Sequence, residues 1–355
     1  MDTIKENDMA EQTVRIGLFV GREWSFPPAF IEEVNRRSPQ TGVTAEYVKV
    51  GGTMMNEPVP YRVIIDRISH EVPYYRSYLK NAALQGVKVV NDPFMWTADD
   101  KFFGASLITK LGIPSPRTVV LPNKDYVPGI KHDESLRNLE FPLDWQRLAD
   151  AVGGFPLVLK DAHGGGWRDV YVVHSLEELW EHYNHSGLLT MVIQEFIEWE
   201  GYARCMCIGQ EAVRVMNYDP KRRYYHPEHG FHEAMAKKLH DYTLAICKAF
   251  GYDMNTAEFA IRGGVPYAID FMNPAPDMDV NSLGRGHFDW IVQTMADQMI
   301  RLALSSEGTH QQYAWGALIE PKKKAAPAKA PAASRAPSKA KTSPEPAPKG
   351  RKKSV

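Results

Sequence analysis

In the run VGGFPLVLKDAHGGGWRDVYVV, Lys160 ends a short apolar stretch and Gly164, Gly165 and Gly166 follow it. Adjacent glycines let successive backbone N–H groups turn towards one point, as an oligophosphate requires, and a lysine on the entering strand reaches the same oxygens. The pattern is not a Walker A loop, because no Gly-Lys-Ser/Thr follows. An ordinary glycine hairpin would use the same residues, so the reading depends on the rest of the chain. Glu258, in TAEFAI, and Asp270, in YAIDFMN, each stand among alternating apolar residues. A charge there is costly to bury without a counter-charge. Strands paired across the Gly263-Gly264 turn would bring the two carboxylates together, and they repel unless a cation lies between them. Magnesium is a hard ion that takes oxygen ligands, and Asn273 adds a neutral oxygen. The plain alternative is one exposed acid on each strand with nothing between. Taken together, lysine, glycines and acids describe a cradle for ATP phosphates with a metal to neutralise them.

Several elements must position these groups. Val14–Val20, Thr44–Val50, Arg62–Ile65 and Val87–Val90 read as strands, with helices over Pro27–Arg37 and Tyr74–Leu84. This alternation predicts an α/β domain with a mainly parallel sheet. Ligands meet such sheets at the carboxyl ends of the strands, where Asp66, Arg67, His70 and Arg76 lie, with Trp24 and Ser25 able to approach. A helix is expected over Thr97–Leu111, with Thr97 as its cap and Asp100 three positions on. Residues 122–143 read as a long loop and Trp145–Val152 as a short helix. A helix over Leu176–Tyr183 has Ser175 as its cap. Strands follow at Leu189–Phe196, Tyr202–Ile208, Glu211–Tyr218, Thr256–Ile261 and Tyr267–Phe271. Glu233–Phe250 reads as the longest helix and Gly286–Leu304 as the last.

The 355 residues suffice for two or three small domains. Three cysteines make no CxxC pair; Cys205 and Cys207 alternate within an apolar run and read as buried strand residues in a reducing compartment. No signal sequence and no span of about 18 apolar residues is seen, so a cytoplasmic setting is expected. The net charge of −1 hides a division. Residues 321–355 hold eleven Lys/Arg and one Glu, a net of +10, which leaves −11 on residues 1–320. That Pro/Ala-rich tail is expected to be disordered and could attract nucleic acid or an acidic partner.

Four stretches in order, ADDKFFGASLITKLGIPSPRTV, FPLVLKDAHGGGWRDVYVV, VIQEFIEWEGYARCMCIGQEAV and AEFAIRGGVPYAIDFMN, resemble the ATP-grasp superfamily. The likeness is to its carboxylate–amine ligase branch, which includes glutamate ligases and glutathione synthetase, and it runs from about residue 14 to residue 304. It implies an α/β chain, α+β in the ATP-binding part. The implied order is a leader (1–12), a pre-ATP-grasp domain (13–95), a central domain (96–185), a C-terminal ATP-grasp domain (186–310) and the tail (311–355). By this resemblance Lys101 and Lys160 face the phosphates of ATP, and Gly164, Gly165 and Gly166 cover them. Gln194, Glu195, Phe196 and Ile197 form the hinge, where backbone groups, and the Glu195 side chain as a further candidate, meet the adenine edge, and Glu198 or Glu200 holds the ribose. Arg204 faces the transferring phosphoryl group or the substrate carboxylate, and Glu258 and Asp270 match the magnesium carboxylates. Two departures stand out: the usual Glu-x-Asn is replaced by Asp270 with Asn273 displaced by one position, and the glycine after the final proline is missing.

The implied chemistry is amide formation through an acylphosphate, with small carboxylate and amine substrates and ATP and Mg2+ as cofactors. Arg67, His70, Arg222, Arg223 and Tyr225 could line a cleft for an anionic acid, and Asp277 could hold the amine. Tyr224, His226 and His229 belong to the same wet loop. A kinase acting on an alcohol, or a silent nucleotide-binding scaffold with a docking tail, would use the same motifs. Ligases of this shape often pair, so a homodimer is an expectation as well.

Overall fold

The computed structural model describes residues 13–55, 57–95 and 100–305. The expected leader, the basic tail and the Thr97 cap lie outside these residues. The chain opens with β1 (Val14–Phe19), α1 (Phe26–Thr41), β2 (Val43–Tyr47), β3 (Val63–Asp66), α2 (Pro73–Leu84) and β4 (Lys88–Val90). The strands form one sheet in the order β2-β1-β3-β4, parallel throughout. All four residues of β3 are buried, because a parallel sheet is covered on both faces. Phe26, Phe30 and Val34 of α1 pack with Ile16, Leu18 and Ile65 on one face. Tyr78, Leu79 and Ala82 of α2 pack with Phe19, Ile64 and Val89 on the other. Prolines in its first turn start α1, and Gly42 at φ 67 ends it by donating its N–H to the Ser38 carbonyl.

Next come α3 (Lys101–Lys110), β5 (Thr118–Val120), α4 (His132–Ser135), α5 (Trp145–Ala151), β6 (Leu157–Asp161), β7 (Val170–Val173), α6 (Leu176–His185) and β8 (Met191–Glu195). Helix α3 starts later than the sequence predicts. Asp100 is itself the cap, and its carboxylate accepts the N–H groups of Phe102 at 2.7 Å and Phe103 at 3.1 Å. The Ser175 hydroxyl accepts the Glu178 N–H, and the Glu178 carboxylate turns back to the N–H of His174. The sheet order is β5-β8-β6-β7. Strand β8, which the sequence reading groups with the last domain, is therefore an inner strand here, paired with β5 and β6.

The last stretch is β9 (Gly201–Ile208), β10 (Ala212–Asp219), β11 (Tyr224–Tyr225), α7 (Glu233–Phe250), β12 (Met254–Arg262), β13 (Val265–Asp270), α8 (Val280–Leu283) and α9 (Arg285–Leu304). Its sheet runs β11-β10-β9-β12-β13. Cys205, Cys207, Ala257 and Phe259 face α7, while Met206, Ile208 and Met254 face α9. With 20 residues against 18, α9 and not α7 is the longest described helix. All three cysteines are free and buried; burial pushes the Cys205 thiol up to about 12, which removes it from thiolate chemistry.

Asn91, at the end of β4, ties the first sheet to the start of β12. Its amide donates to the carbonyls of Met254 at 2.6 Å and Pro274 at 3.1 Å, and its oxygen accepts the Met254 N–H at 2.9 Å. Asn91→Ala is expected to cost about 2–3 kcal/mol, because it strands buried backbone groups. A lower urea midpoint at unchanged m-value checks it.

Candidate active site

Three strands bring the charged residues into one row. Arg204 on β9 stands opposite Glu258 on β12, and Glu258 stands opposite Asp270 on β13. Strictly regular pairing across the Gly263-Gly264 turn would set Glu258 against Ile269 and leave Asp270 on the other face. A register shift at Glu258/Phe259 prevents this. The bulge brings Asp270 to the row and releases the Ile269 carbonyl from the ladder. That carbonyl accepts Lys160 Nζ at 3.0 Å.

Lys160 is nearly fully buried. Burial pushes its ammonium below the ordinary lysine value, Asp270 and Glu258 oppose that fall, and Lys101 adds to it. Leu157 and Leu159 point into the core beneath, so alternation along β6 turns Lys160 to the opposite face. Lys101, at the first turn of α3, donates to the Gly164 carbonyl and lies 3.5 Å from that of Ala162. The glycine loop is tightly wound, with Gly166, Trp167 and Asp169 at φ of 67, 64 and 53. A Cβ on Gly164 would fall 2.7 Å from an Asp161 carboxylate oxygen.

Arg204 is held on every side. Its Nε donates to Glu258 Oε1 at 2.8 Å, with Nη2 on the same oxygen, and Nη1 donates to the Tyr225 hydroxyl at 2.8 Å. The guanidinium carbon lies 4.4 Å from the Tyr218 ring centre, a favourable cation–π placement. Burial works against its charge, yet Glu258 raises its pKa above the ordinary arginine value. The other oxygen of Glu258 accepts the Tyr202 hydroxyl, whose pKa burial and Glu258 together raise well above normal. The sequence reading missed Tyr202 and Tyr218. The available signal was the strand period of two, which puts Tyr202 on the face of Arg204.

Among the described residues no three His, Cys, Asp or Glu side chains converge on one point. Magnesium is usually held by one or two carboxylates together with phosphates and water, and exposed Asp270 beside Glu258 fits that pattern. Asn273 follows closely, its N–H bound to Asn255 Oδ1 at 2.8 Å and its carbonyl accepting the Thr256 N–H.

At the expected adenine edge, the structure commits two side chains elsewhere. The Gln194 amide donates to the Thr118 hydroxyl at 2.9 Å. Glu195 accepts Arg117 Nε and Arg262 Nη2, each at 3.0 Å; against the cost of burial, these arginines hold its carboxyl below the ordinary 4.5. Phe196 and Ile197 leave the sheet, Glu198 is exposed, and Glu200 accepts the Gly264 N–H at 3.0 Å. A carboxyl with a depressed folded-state pKa adds stability above its unfolded value and loses it as pH falls through the folded one. Glu195→Gln is therefore expected to cost about 1 kcal/mol at neutral pH, a figure reduced for the exposure of both arginines. That gap should close as pH falls below 4.5, which urea titrations of both proteins at each pH measure.

The expected substrate residues divide. Arg67 is buried, with Nε on Glu23 at 3.1 Å and Nη2 on the Pro276 carbonyl, so it joins the first sheet to the 274–279 segment rather than facing a cleft. Asp66 accepts the N–H groups of Ile68 and Ser69. His70 is exposed beside Glu71, and burial on one side lowers its pKa. Arg222 is exposed 3.7 Å from Asp219, and Arg223 is exposed at φ 53. Tyr225 is buried with its hydroxyl on Arg204. Asp277 is exposed, accepts the Asp279 N–H at 2.9 Å, and acts electrostatically on Tyr225. Ser25 donates to Asp279 at 3.0 Å, which brings the turn after β1 to this rim, where Trp24 is exposed.

No protein-family model matches the chain. Pyruvate carboxylase of Homo sapiens is 27% identical over 137 residues, 33% of this chain and 12% of that protein. The glutamate–LysW ligase ArgX of Sulfurisphaera tokodaii is 27% identical over 172 residues, 44% of this chain and 54% of that one. Each match thus spans less than two thirds of the relative's own length. Among solved structures, D-alanine–D-alanine ligase from Bacillus anthracis superposes with a TM-score of 0.56 at 17% identity, covering 82% of this chain and 97% of that one. The RimK-domain ATP-grasp protein of Sphaerobacter thermophilus gives 0.58 at 18%, covering 80% and 98%. Superpositions that cover four fifths of the chain leave one conclusion: the chain has the ATP-grasp fold.

Proposed function

We propose that this protein is an ATP-dependent carboxylate–amine ligase acting on an amino acid or a small peptide-like acid through an acylphosphate. The observation that carries this reading is the row Arg204–Glu258–Asp270 with Lys160 set against its bulge. Names of the similar proteins, D-alanine–D-alanine ligase and glutamate–LysW ligase, support the reaction class.

In the proposed reaction a carboxylate oxygen of the acid attacks the γ-phosphorus of ATP, and the bond to the β-phosphate oxygen breaks to release ADP. The amine nitrogen then attacks the acyl carbon, phosphate leaves with the C–O bonding pair, and the nitrogen loses a proton. Lys160 and Lys101 would hold the phosphoryl oxygens, and the Gly164–Gly166 amides would close over them. Such a transfer needs alignment and charge neutralisation and no protein nucleophile. Magnesium, when bound with the phosphates, would neutralise charge on them, and Asp270, Glu258 and Asn273 are the residues to hold it. Arg204, released in part from Glu258, would face the acid or the moving phosphoryl group. Phe196, Ile197 and Glu198 would border the nucleotide base and ribose. His70, Arg222, Arg223 and Asp277 would border the acid and the amine.

The test is magnesium-dependent ATP turnover over pooled amino acids and short peptides with hydroxylamine present. A hydroxamate that forms in proportion to ADP supports the ligase. A stable phosphorylated alcohol would replace this reading by a kinase, and nucleotide binding without turnover over the whole panel would replace it by a scaffold.

A further inference from the structure

A cavity of about 880 Å3 lies between β10, α7 and the start of α9, with His287 in its wall. Its inner wall is a strand edge. Strand β10 pairs with β9 along Ala212–Asn217, but its outer side meets β11 only at Tyr218 and Asp219. The Asn217 carbonyl points outward, since it accepts the His226 N–H at 3.0 Å. N–H and C=O groups alternate sides along a strand, so those of Val213 and Val215 also point outward, into the cavity. Both residues line it, and no strand among the described residues covers them.

Arg214 lies between them. Its Nε donates to His287 Nδ1 at 2.9 Å, while His287 Nε2 lies 2.8 Å from the His226 carbonyl. That pairing fixes the neutral tautomer, with Nε2–H as the donor, and burial lowers the His287 pKa in keeping with it. The guanidinium carbon lies 5.6 Å from the Trp290 ring centre. Its two terminal nitrogens make no hydrogen bond to any described residue. An arginine gripped from behind by a neutral imidazole, supported by an indole and left with two parallel donors free, is prepared for a carboxylate.

We propose that this cavity binds an extended acidic peptide segment, which adds as a strand to the outer edge of β10 and sets one carboxylate on Arg214. The open edge supplies main-chain hydrogen bonds, and the alternation of side chains supplies the pattern read. A residue opposite Arg214 shares its face, so it is the acid. Its neighbours on either side fall on the face of Val213 and Val215, which pack towards α7, so they are apolar. This site is separate from the nucleotide cradle and does not depend on the ligase reading.

Calorimetric titration of the full chain with acetyl-Ala-Val-Glu-Val-Ala-amide and with its glutamine counterpart tests this. The acidic peptide is expected to saturate, with at least tenfold weaker binding for the glutamine peptide and for Arg214→Gln. Amide exchange at Val213 and Val215 should slow on binding. Arg214→Gln should keep wild-type affinity for a non-hydrolysable ATP analogue, which verifies its fold. No saturation at about 10 mM peptide, equal affinity of the glutamine peptide, or equal affinity of Arg214→Gln would overturn the proposal. So would glutarate binding as tightly as the peptide, or sedimentation of a dimer in which Val213 and Val215 are already protected.

Discussion

Lys160→Met is expected to lower magnesium-dependent ATP turnover by about a thousandfold while leaving the fold intact. Removing one preorganised donor from a developing charge typically costs a factor of about 100 to 1,000, and here the lost group is a full cation. Its replacement keeps the apolar stem that packs within the sheet but offers nothing to phosphoryl oxygens. Burial already disfavours the charge, so the neutral side chain relieves a desolvation cost while it strands the Ile269 carbonyl. These terms oppose one another, and the melting temperature should move by only a few degrees. Steady-state kinetics with thermal melts separate the two effects. A loss of less than tenfold would remove Lys160 from the site.

Glu258→Gln is expected to have the largest combined effect on stability and turnover. Arg204 and Glu258 expose only 13% and 9% of their side chains. Breaking a buried pair by neutralising one partner typically costs about 3–5 kcal/mol, because the other charge is left uncompensated. Tyr202 also loses an ionised acceptor. Arg204→Met leaves the opposite orphan, a carboxylate that keeps the Tyr202 hydroxyl but no hydrogen-bonded cation. The double variant Arg204→Met/Glu258→Gln should recover part of the stability of either single change, since no uncompensated charge remains. It should not recover turnover. A double-mutant cycle by urea denaturation measures the coupling, and simple additivity of the two losses would refute it.

Much of this site was legible in the sequence, for a definable reason. Lys160 before three glycines, Ser175 before Glu178, and two acids flanking a Gly-Gly turn are local patterns, and their geometry follows from nearby backbone conformation. The structure adds that Leu157 and Leu159 face the core, which by the strand period of two sets Lys160 on the other side. The likeness to ATP-grasp proteins rested on the same local stretches in a fixed order. It named the fold that the superpositions display.

What the sequence by itself could not determine came from contacts between distant segments. The bulge that sets Asp270 against Glu258 carries no glycine or proline to announce it; Lys160, 109 positions away, holds the Ile269 carbonyl it releases. Glu195 reads as an adenine-facing acid, and nothing in the sequence signals that β5 and the β12–β13 turn also deliver Arg117 and Arg262 to it. Arg67 reads as a substrate residue at a strand end, yet Glu23 and the Pro276 carbonyl enclose it. Tyr202 and Tyr218 read as ordinary strand aromatics, and Tyr225 as a residue of the substrate cleft, until three strands gather them about Arg204. A long charged side chain finds whichever partner packing brings within about 3 Å. Local propensity therefore fixed where the chemistry-bearing residues sit along each strand, and the packing of separate sheets decided which of them meet.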